Sequence, residues 1–122
     1  MARLARVVLP GYPHHITQRG NRRQQVFFRE TDYSDYLELL KTWCSAEGIE
    51  VWAYCLMTNH VHLIVMPQNN SNLGRAIGET HRRYTRMINF RAHARGFLFQ
   101  GRFGSTVLDV SAGGQNQPLR GR

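Results

Sequence analysis

Two alternating apolar segments, separated by two polar residues, constrain the fold more than any other feature of the chain. Residues 49–57 and 60–66 each have the length of one strand, and Thr58-Asn59 between them has the length of a tight turn. We therefore predict an antiparallel β-hairpin. Alternation along its first strand predicts four side chains on one face of the sheet: Val51, Ala53, Cys55 and Met57.

Two segments with apolar residues three and four positions apart flank the hairpin, which predicts two amphipathic helices. Residues able to cap their N-termini stand before them: Thr31 or Asp32, and Ser71 or Asn72. Gly48 supplies a left-handed stop for the first helix, and the second runs to about Phe90. The inward side chains of the second helix are predicted to be Leu73, Ile77, Thr80, Tyr84, and Ile88 or Met87.

Two further strands complete the pattern. Residues 14–19 alternate before the first helix, and residues 103–110 follow the second helix. The order strand, helix, strand, strand, helix, strand is that of the split βαβ arrangement. We predict an α+β fold of one domain, a ferredoxin-like sandwich in which two helices cover one face of an antiparallel sheet.

The charge of the chain indicates a polyanionic partner. The net charge is +8, and fifteen of the sixteen cationic side chains are arginine. Six of the eight acidic residues lie within 30–50, whereas arginines cluster in 3–29 and 75–102. Arginine grips phosphates bidentately and stacks on bases, so the segregation predicts a nucleic-acid-binding face. The alternative is an arginine-rich composition inherited from a GC-rich genome.

The candidate DNA-binding residues fall in four places: a basic arm at residues 1–13, the loop after the first strand, one face of the second helix, and the loop before the last strand. They are Arg3, Arg6, Arg19, Asn21, Arg22, Arg23, Arg82, Arg83, Arg86 and Arg102. For the loop and the helix face, the competing interpretation is an ordinary solvated surface. His81 and Thr85 are expected on the same helix face as the arginines. Phe97, Phe99 and Phe103 could form a base-stacking strip, but alternating aromatics favour a place in the core.

His60 and His62 are the candidate metal ligands. Residues two apart on a strand point to the same face, so the two imidazoles can share a divalent ion. The alternative is a pair of structural histidines that hydrogen-bond to their neighbours. Spacing does not fix a third ligand among the candidates, which are His14, His15, Gln18 and Asp109.

Composition also limits the cellular setting. No apolar run approaches the roughly 20 residues of a membrane span. The apolar segment at the N-terminus is too short for a signal peptide. Cys44 and Cys55 lack the spacing of a redox or zinc motif. We expect a cytoplasmic protein with two free thiols and no membrane partner.

Several segments together resemble the REP-associated tyrosine transposases, which are HUH single-strand DNA nucleases and IS200-like transposases. The resemblance spans residues 2 to about 110. Its segments read ARLAR, HITQRGNR, WAYCLMTNHVH, HRRYTRMIN and FQGRF, at residues 2–6, 15–22, 52–62, 81–89 and 99–103.

The resemblance implies a DNA transposase that binds single-stranded or hairpin repeat DNA. It implies that His60 and His62 hold Mg²⁺ or Mn²⁺, which polarises the scissile phosphate while a tyrosine attacks it. That nucleophile belongs to a Tyr-x-x-x-Asn-Pro stretch on a helix after the last strand, and this sequence contains no such stretch. The last tyrosine is Tyr84, and none of the others matches the position of the nucleophile.

We therefore expect residues 1–110 to form an HUH domain without its nucleophile helix, a truncated or frameshifted copy. Residues 111–122 are expected to be a disordered tail unlike the family. We predict DNA binding with impaired transesterification, because no catalytic tyrosine is found. Without the nucleophile helix, the core surface that this helix covers in the family is expected to be exposed, and a homodimer is one way to cover it. Two alternatives stay open: a non-catalytic, repressor-like DNA-binding module, and a phosphodiesterase that uses a metal-bound water.

Overall fold

A computed structural model of the protein describes residues 8–108. The strands are β1 (His14–Arg19), β2 (Glu50–Met57), β3 (His60–Met66) and β4 (Gly104–Val107). The helices are α1 (Glu30–Ala46) and α2 (Leu73–Ala92), and a short 3-10 turn occupies Asn21–Arg23. Residues 109 and 110 of the predicted last strand, and the predicted tail at 111–122, lie outside the described residues.

The four strands form one antiparallel sheet in the order β2-β3-β1-β4. The side chains of Ile16, Val61, Leu63 and Val65 are fully buried and share one hydrophobic core with both helices. The prediction of a ferredoxin-like α+β sandwich is confirmed. Since the helices cover only this face, the alternate residues of β1 and β3 lie on the opposite, open face of the sheet.

The prediction that Val51, Ala53, Cys55 and Met57 share one face of the sheet was partly wrong. The pairing of β2 with β3 shifts between Val51 and Ala53, which is the mark of a β-bulge at Trp52. Val51 therefore packs against the core, whereas Ala53, Cys55 and Met57 lie on the open face. Strict alternation from Val51 could not reveal this, because the extra residue reverses the direction of every side chain after it.

The start of α1 also differs from the prediction. The helix begins at Glu30, one residue before Thr31, and Asp32 occupies the third helical position. From there its carboxylate accepts hydrogen bonds from the backbone N–H of Phe28 at 2.8 Å and Arg29 at 3.0 Å. Asp32 therefore acts as a cap from inside the first turn rather than from before it.

The predictions for the other helix boundaries hold. Asn72 caps α2 by accepting a hydrogen bond from the Arg75 backbone N–H at 2.9 Å. Gly48 follows α1 with a φ of +69°, the left-handed conformation that glycine adopts without strain. The inward residues predicted for α2 are buried, including Leu73, Ile77, Thr80, Tyr84 and Ile88.

The three phenylalanines after α2 divide between core and surface. Phe99 and Phe103 are buried, as expected for core residues. Phe97 contradicts that expectation because its side chain is 81% exposed. Neither helix within residues 8–108 has the length of apolar sequence that a membrane crossing requires.

Candidate nucleic-acid interface and metal site

His60 and His62 lie side by side on the open face of the sheet. His62 is paired across β3 with Thr17 on one side and Cys55 on the other. His60 is paired with Arg19 and Met57. The two imidazole rings are 5.0 Å apart between centroids and meet at 82°. Strand geometry therefore produces the pair that the sequence predicted.

The hydrogen bonding of His60 leaves one ring nitrogen free for a ligand. Its Nδ1 lies 2.7 Å from Oδ1 of Asn59. Because an amide oxygen only accepts, Nδ1 carries the proton and the Nε2 lone pair is available. Burial, and then the neighbouring His62 and Arg19, lower the pKa of His60. All three effects favour the neutral imidazole, which is the form that binds metals.

His15 is the third-ligand candidate that shares the open face with the pair. Its Nε2 lies 3.1 Å from Nδ1 of His62, and the two rings are stacked with centroids 5.3 Å apart. Burial, followed by the charge of His62, lowers the pKa of His15. The remaining candidates do not join this group, since His14 and Gln18 point to the opposite face.

Each of these two side chains has a structural role. His14 accepts a hydrogen bond at Nε2 from the Leu9 backbone N–H, and Gln18 donates to the Gly101 carbonyl at 3.0 Å. Asp109 lies outside the described residues. Within residues 8–108, no three His, Cys, Asp or Glu side chains are grouped to hold a metal ion. Among residues 8–108, the candidate metal ligands are therefore His60 and His62, with His15 hydrogen-bonded to His62.

The loop that follows β1 places arginines beside the histidines. Arg22 and Arg23 have φ values of +56° and +60°, so two successive residues take the left-handed conformation. This tight turn keeps both guanidinium groups on the exposed surface of the loop. Arg19, at the end of β1, is likewise exposed and lies on the open face next to His60.

The segment before β4 holds this loop in place. The Asn21 backbone N–H donates to the Leu98 carbonyl at 2.8 Å, and the Gln100 N–H donates to the Arg19 carbonyl at 2.9 Å. Gln24 adds a side-chain hydrogen bond to the Phe97 carbonyl at 3.1 Å. The loop is therefore solvent-exposed but anchored, and it carries Asn21 in a half-buried position.

Two adjoining cavities bring arginines and histidines together. The larger has a volume of about 390 Å³ and contains His60, His62, Arg19 and Arg102 in its wall. The smaller, of about 200 Å³, is bounded by Arg19, Arg23, Asn59 and His60. Arg19 and His60 belong to both, so the cavities form one recess with cationic walls around the histidine pair.

The arginines of the predicted basic face of α2 point in two different directions. Arg82 and Arg86 are exposed, as the DNA-binding prediction requires, and Arg82 also pairs with Glu79 at 2.7 Å. Arg83 instead lies over the ring of Trp43, 4.6 Å from its centroid, and bonds to Glu79 at 3.2 Å. It faces α1 and therefore stabilises the packing of the helices. Arg3 and Arg6 lie outside the described residues.

His81 does not join the basic surface expected of it. Its Nε2 is hydrogen-bonded to the Tyr36 hydroxyl at 2.7 Å, and its ring stacks on Phe99 at 4.3 Å. Burial lowers the pKa of His81 to about 3, so the residue is neutral at physiological pH. Its spacing from Ile77 and Tyr84 placed it on the inward stripe, a signal that the charge pattern concealed.

All five tyrosines of the chain lie within the described residues, and each is accounted for away from the histidine pair. Tyr36 and Tyr84 are fully buried, and burial raises the pKa of both hydroxyls. Tyr33 and Tyr54 pack against the core, and Tyr12 precedes the opposite end of β1 from Arg19. No tyrosine of residues 8–108 is on the open face beside His60 and His62.

Gly20 controls the position of the arginine loop. A Cβ added there would collide with the Gln24 carbonyl oxygen and would lie 3.1 Å from Cγ1 of Val26. Gly20→Ala is expected to lower the free energy of unfolding by about 1–3 kcal/mol and to weaken DNA binding. Thermal unfolding and a binding titration would measure the two effects.

The matched control is Gly78→Ala on α2, where an added Cβ meets no atom within 4 Å. That variant is expected to raise the free energy of unfolding by about 1 kcal/mol because alanine favours the helix. Equal stability of the two variants would contradict the role assigned to Gly20.

A family model described as "Transposase IS200 like" matches residues 10–113. The chain belongs to the IS200-like transposase family. Its fold is similar to a REP-associated tyrosine transposase bound to a REP hairpin, with a TM-score of 0.68 at 18% identity. That match covers 89% of this chain and 63% of the other, so this chain spans under two thirds of that protein.

A second solved structure has the same fold. It is a transposase candidate from Deinococcus radiodurans R1, with a TM-score of 0.64 and 18% identity, covering 93% of this chain and 92% of the other. A search of curated proteins gives no significant match. The family identified from the sequence motifs is therefore confirmed by the family model, and the two structures support the fold of these IS200-like transposases.

Proposed function

We propose that this IS200-like transposase chain binds single-stranded or hairpin DNA across the open face of its sheet. The observation that carries the proposal is the recess in which Arg19 and Arg102 stand beside His60 and His62. Cationic forks next to a pair of imidazoles suit a phosphodiester better than they suit an apolar or cationic ligand. The related REP-associated transposase was solved with a REP hairpin, which supports DNA as the partner.

The arginines supply attachment to the DNA backbone. Arg19, Arg22 and Arg23 are presented by a loop whose backbone is anchored, so little backbone entropy is lost when they bind phosphates. Arg82 and Arg86 extend the cationic surface along α2. The residues of the sequence-based set that retain this role are Arg19, Asn21, Arg22, Arg23, Arg82, Arg86 and Arg102. Arg3 and Arg6 keep it as a prediction, and Arg83 is expected to contribute less.

His60 and His62 fit a divalent ion as two of its ligands, with Mg²⁺ or Mn²⁺ as the candidates. The free Nε2 of His60 supports this, because the Asn59 bond fixes the tautomer that can coordinate. When bound, such an ion polarises a phosphate oxygen. The other positions around it would be filled by water, by the DNA, or by a ligand from beyond residues 8–108.

The chain's own residues supply binding and orientation, and we propose that they supply no nucleophile. A tyrosine must reach the scissile phosphate to form a covalent link, and no tyrosine of this chain lies beside the histidine pair. The 122 residues by themselves should therefore form a DNA complex without cleaving it covalently. A homodimer and a cytoplasmic location stay predictions.

The alternative of a metal-independent, repressor-like module is favoured by one observation. Nδ1 of His62 is already engaged by His15 at 3.1 Å. If His15 donates that hydrogen bond, neutral His62 carries its proton on Nε2 and has no lone pair left for a metal ion, so DNA binding depends on the arginines alone.

The experiment uses a labelled DNA hairpin with a single-stranded flank, incubated with the chain and Mn²⁺ and run on native and denaturing gels. We expect a retarded native complex that Mn²⁺ strengthens, and no covalent protein–DNA band. His60→Asn should remove the effect of Mn²⁺. His93→Asn is the matched control, because His93 is exposed at the far end of α2 and takes the left-handed conformation that asparagine tolerates.

Each other outcome has a definite meaning. A covalent band that His60→Asn abolishes would refute the absence of a nucleophile. Nicked DNA without a covalent band would identify a phosphodiesterase that activates water. A complex unaffected by Mn²⁺ would support the metal-independent module, and the lack of any complex at low salt would refute DNA binding.

A further inference from the structure

A further cavity of the described residues lies outside the histidine recess. It has a volume of about 610 Å³ and opens between α2 and residues 96–103. The helix contributes Gly78, Arg82 and Thr85 to its wall, and the segment opposite contributes Phe97 and Arg102. The cavity therefore combines an aromatic ring with two guanidinium groups.

This cavity adjoins the histidine recess. Gln18 and Arg102 line both of them, so Arg102 stands at the boundary between the two. A DNA strand with one phosphate at His60 and His62 would pass Arg102 before it entered the cavity between α2 and residues 96–103. Successive phosphates and bases of one strand would thus meet a continuous cationic path.

Phe97 has the exposure and the support expected of a stacking platform. Its side chain is 81% exposed, although it belongs to a segment otherwise tied to the body of the protein. The Phe97 carbonyl accepts a hydrogen bond from Gln24 at 3.1 Å, and the neighbouring Gly96 carbonyl accepts one from Asn89 at 3.0 Å. The ring is therefore presented to solvent by a fixed backbone. Stacking on a base would cover the apolar surface at a small entropic cost.

Gly78 keeps the helix side of the cavity open. A glycine within a helix costs about 1 kcal/mol relative to alanine. No neighbouring atom requires glycine here, because an added Cβ would meet nothing within 4 Å. The missing side chain leaves room in the cavity rather than room for packing.

We propose that this cavity is a subsite for one unpaired DNA base, stacked on Phe97, with Arg82 and Arg102 holding the adjoining phosphates. The subsite rests on the proposed function, because it extends the path of the strand that reaches the histidine pair. It would select unpaired over duplex DNA, since a base within a duplex has to leave its pairing and its stack before it can stack on Phe97.

The test measures affinity by fluorescence anisotropy for a DNA hairpin with a single-stranded flank of about ten nucleotides. Phe97→Ala is compared with Phe90→Ala, which removes a ring that is 84% exposed and does not line the cavity. Phe97→Ala should weaken binding roughly tenfold, the usual effect of losing one stacked base, and Phe90→Ala should leave it unchanged. Binding to blunt duplex DNA should not respond to either change.

A second arm removes the base instead of the ring. A single abasic nucleotide is moved along the flank, and one position should weaken binding to the wild type by the same factor. At that position Phe97→Ala should show no further loss, because the two changes delete the same contact. Gly78→Gln, which extends a polar side chain from the cavity wall at a position where an added Cβ meets no atom within 4 Å, should weaken binding to the hairpin.

The outcomes separate this proposal from the proposed function. If the wild type binds the hairpin and Phe97→Ala binds equally well, the subsite is refuted while DNA binding stands. Full additivity of the abasic and Phe97→Ala losses at every position would also refute it. If the wild type binds no DNA, both proposals are refuted.

Discussion

Asp32→Ala is expected to lower the free energy of unfolding by about 3–5 kcal/mol, as the loss of one partner from a buried ion pair does. The Asp32 side chain is fully buried, and its carboxylate receives two hydrogen bonds from the Arg91 guanidinium at 2.7 and 2.9 Å. It also accepts from the backbone N–H groups of Phe28 and Arg29. The substitution would leave all of these donors without their acceptor.

The position of Asp32 explains why the effect should be large. The carboxylate joins the N-terminus of α1 to Arg91 in the last turn of α2, so a single group fixes both helices. Urea unfolding would measure the change. The control is Glu79→Ala, which removes ion pairs within α2 to two arginines that are about half exposed, and it should have a much smaller effect. Equal losses for the two variants would contradict the assignment.

The same carboxylate gives a pH dependence of known sign. The hydrogen bonds from Arg91, supported by those from Phe28 and Arg29, lower the pKa of Asp32 to about 2 in spite of burial. A carboxyl whose pKa is lower in the folded state stabilises the fold above its unfolded pKa of about 4. That contribution disappears as the pH falls through about 2. The stability difference between the wild type and Asp32→Asn should therefore shrink between pH 4 and 2.

The elements of this fold follow from local patterns, whereas the exceptions depend on tertiary contacts. Apolar spacing located both helices, and the alternating segments on either side of Thr58-Asn59 located the hairpin, because those signals repeat over many residues. The bulge at Trp52 involves one residue and is defined by its pairing with β3, which a single sequence does not show. Asp32 looked like a cap before the helix because the sequence does not specify at which residue of the first turn a capping carboxylate stands.

The candidate site shows the same division. His60 and His62 share a face because strand geometry requires it, and the structure confirms that placement. Arg83 was expected among the DNA-binding arginines, but it packs on Trp43, a residue of the other helix. The spacing of arginines shows which face of a helix they share. It does not show what packs against that face, which only the structure reveals. The position of Arg102 also depends on tertiary structure, because the loop before β4 brings it beside His60 and His62 although it is distant from them in the sequence.

Replacement of Arg19 and Arg102 together by alanine is expected to weaken binding of single-stranded hairpin DNA by roughly ten- to a hundredfold at physiological salt. Both guanidinium groups are exposed in the wall of the histidine recess, where a bound phosphate would meet them. Because each neutralised phosphate of a single strand contributes about 0.7 to the slope of log affinity against log salt, that slope should fall by about 1.4.

A control with equal charge distinguishes local contacts from the general attraction of a +8 chain. Lys41→Ala with Arg75→Ala also removes two cations, but Lys41 is on α1 and Arg75 bonds to Glu47 and lies beside Trp43, away from the open sheet face. This pair should reduce affinity much less and leave most of the salt slope intact. Equal losses from the two double variants would mean that net charge, and not the recess around His60 and His62, binds the DNA.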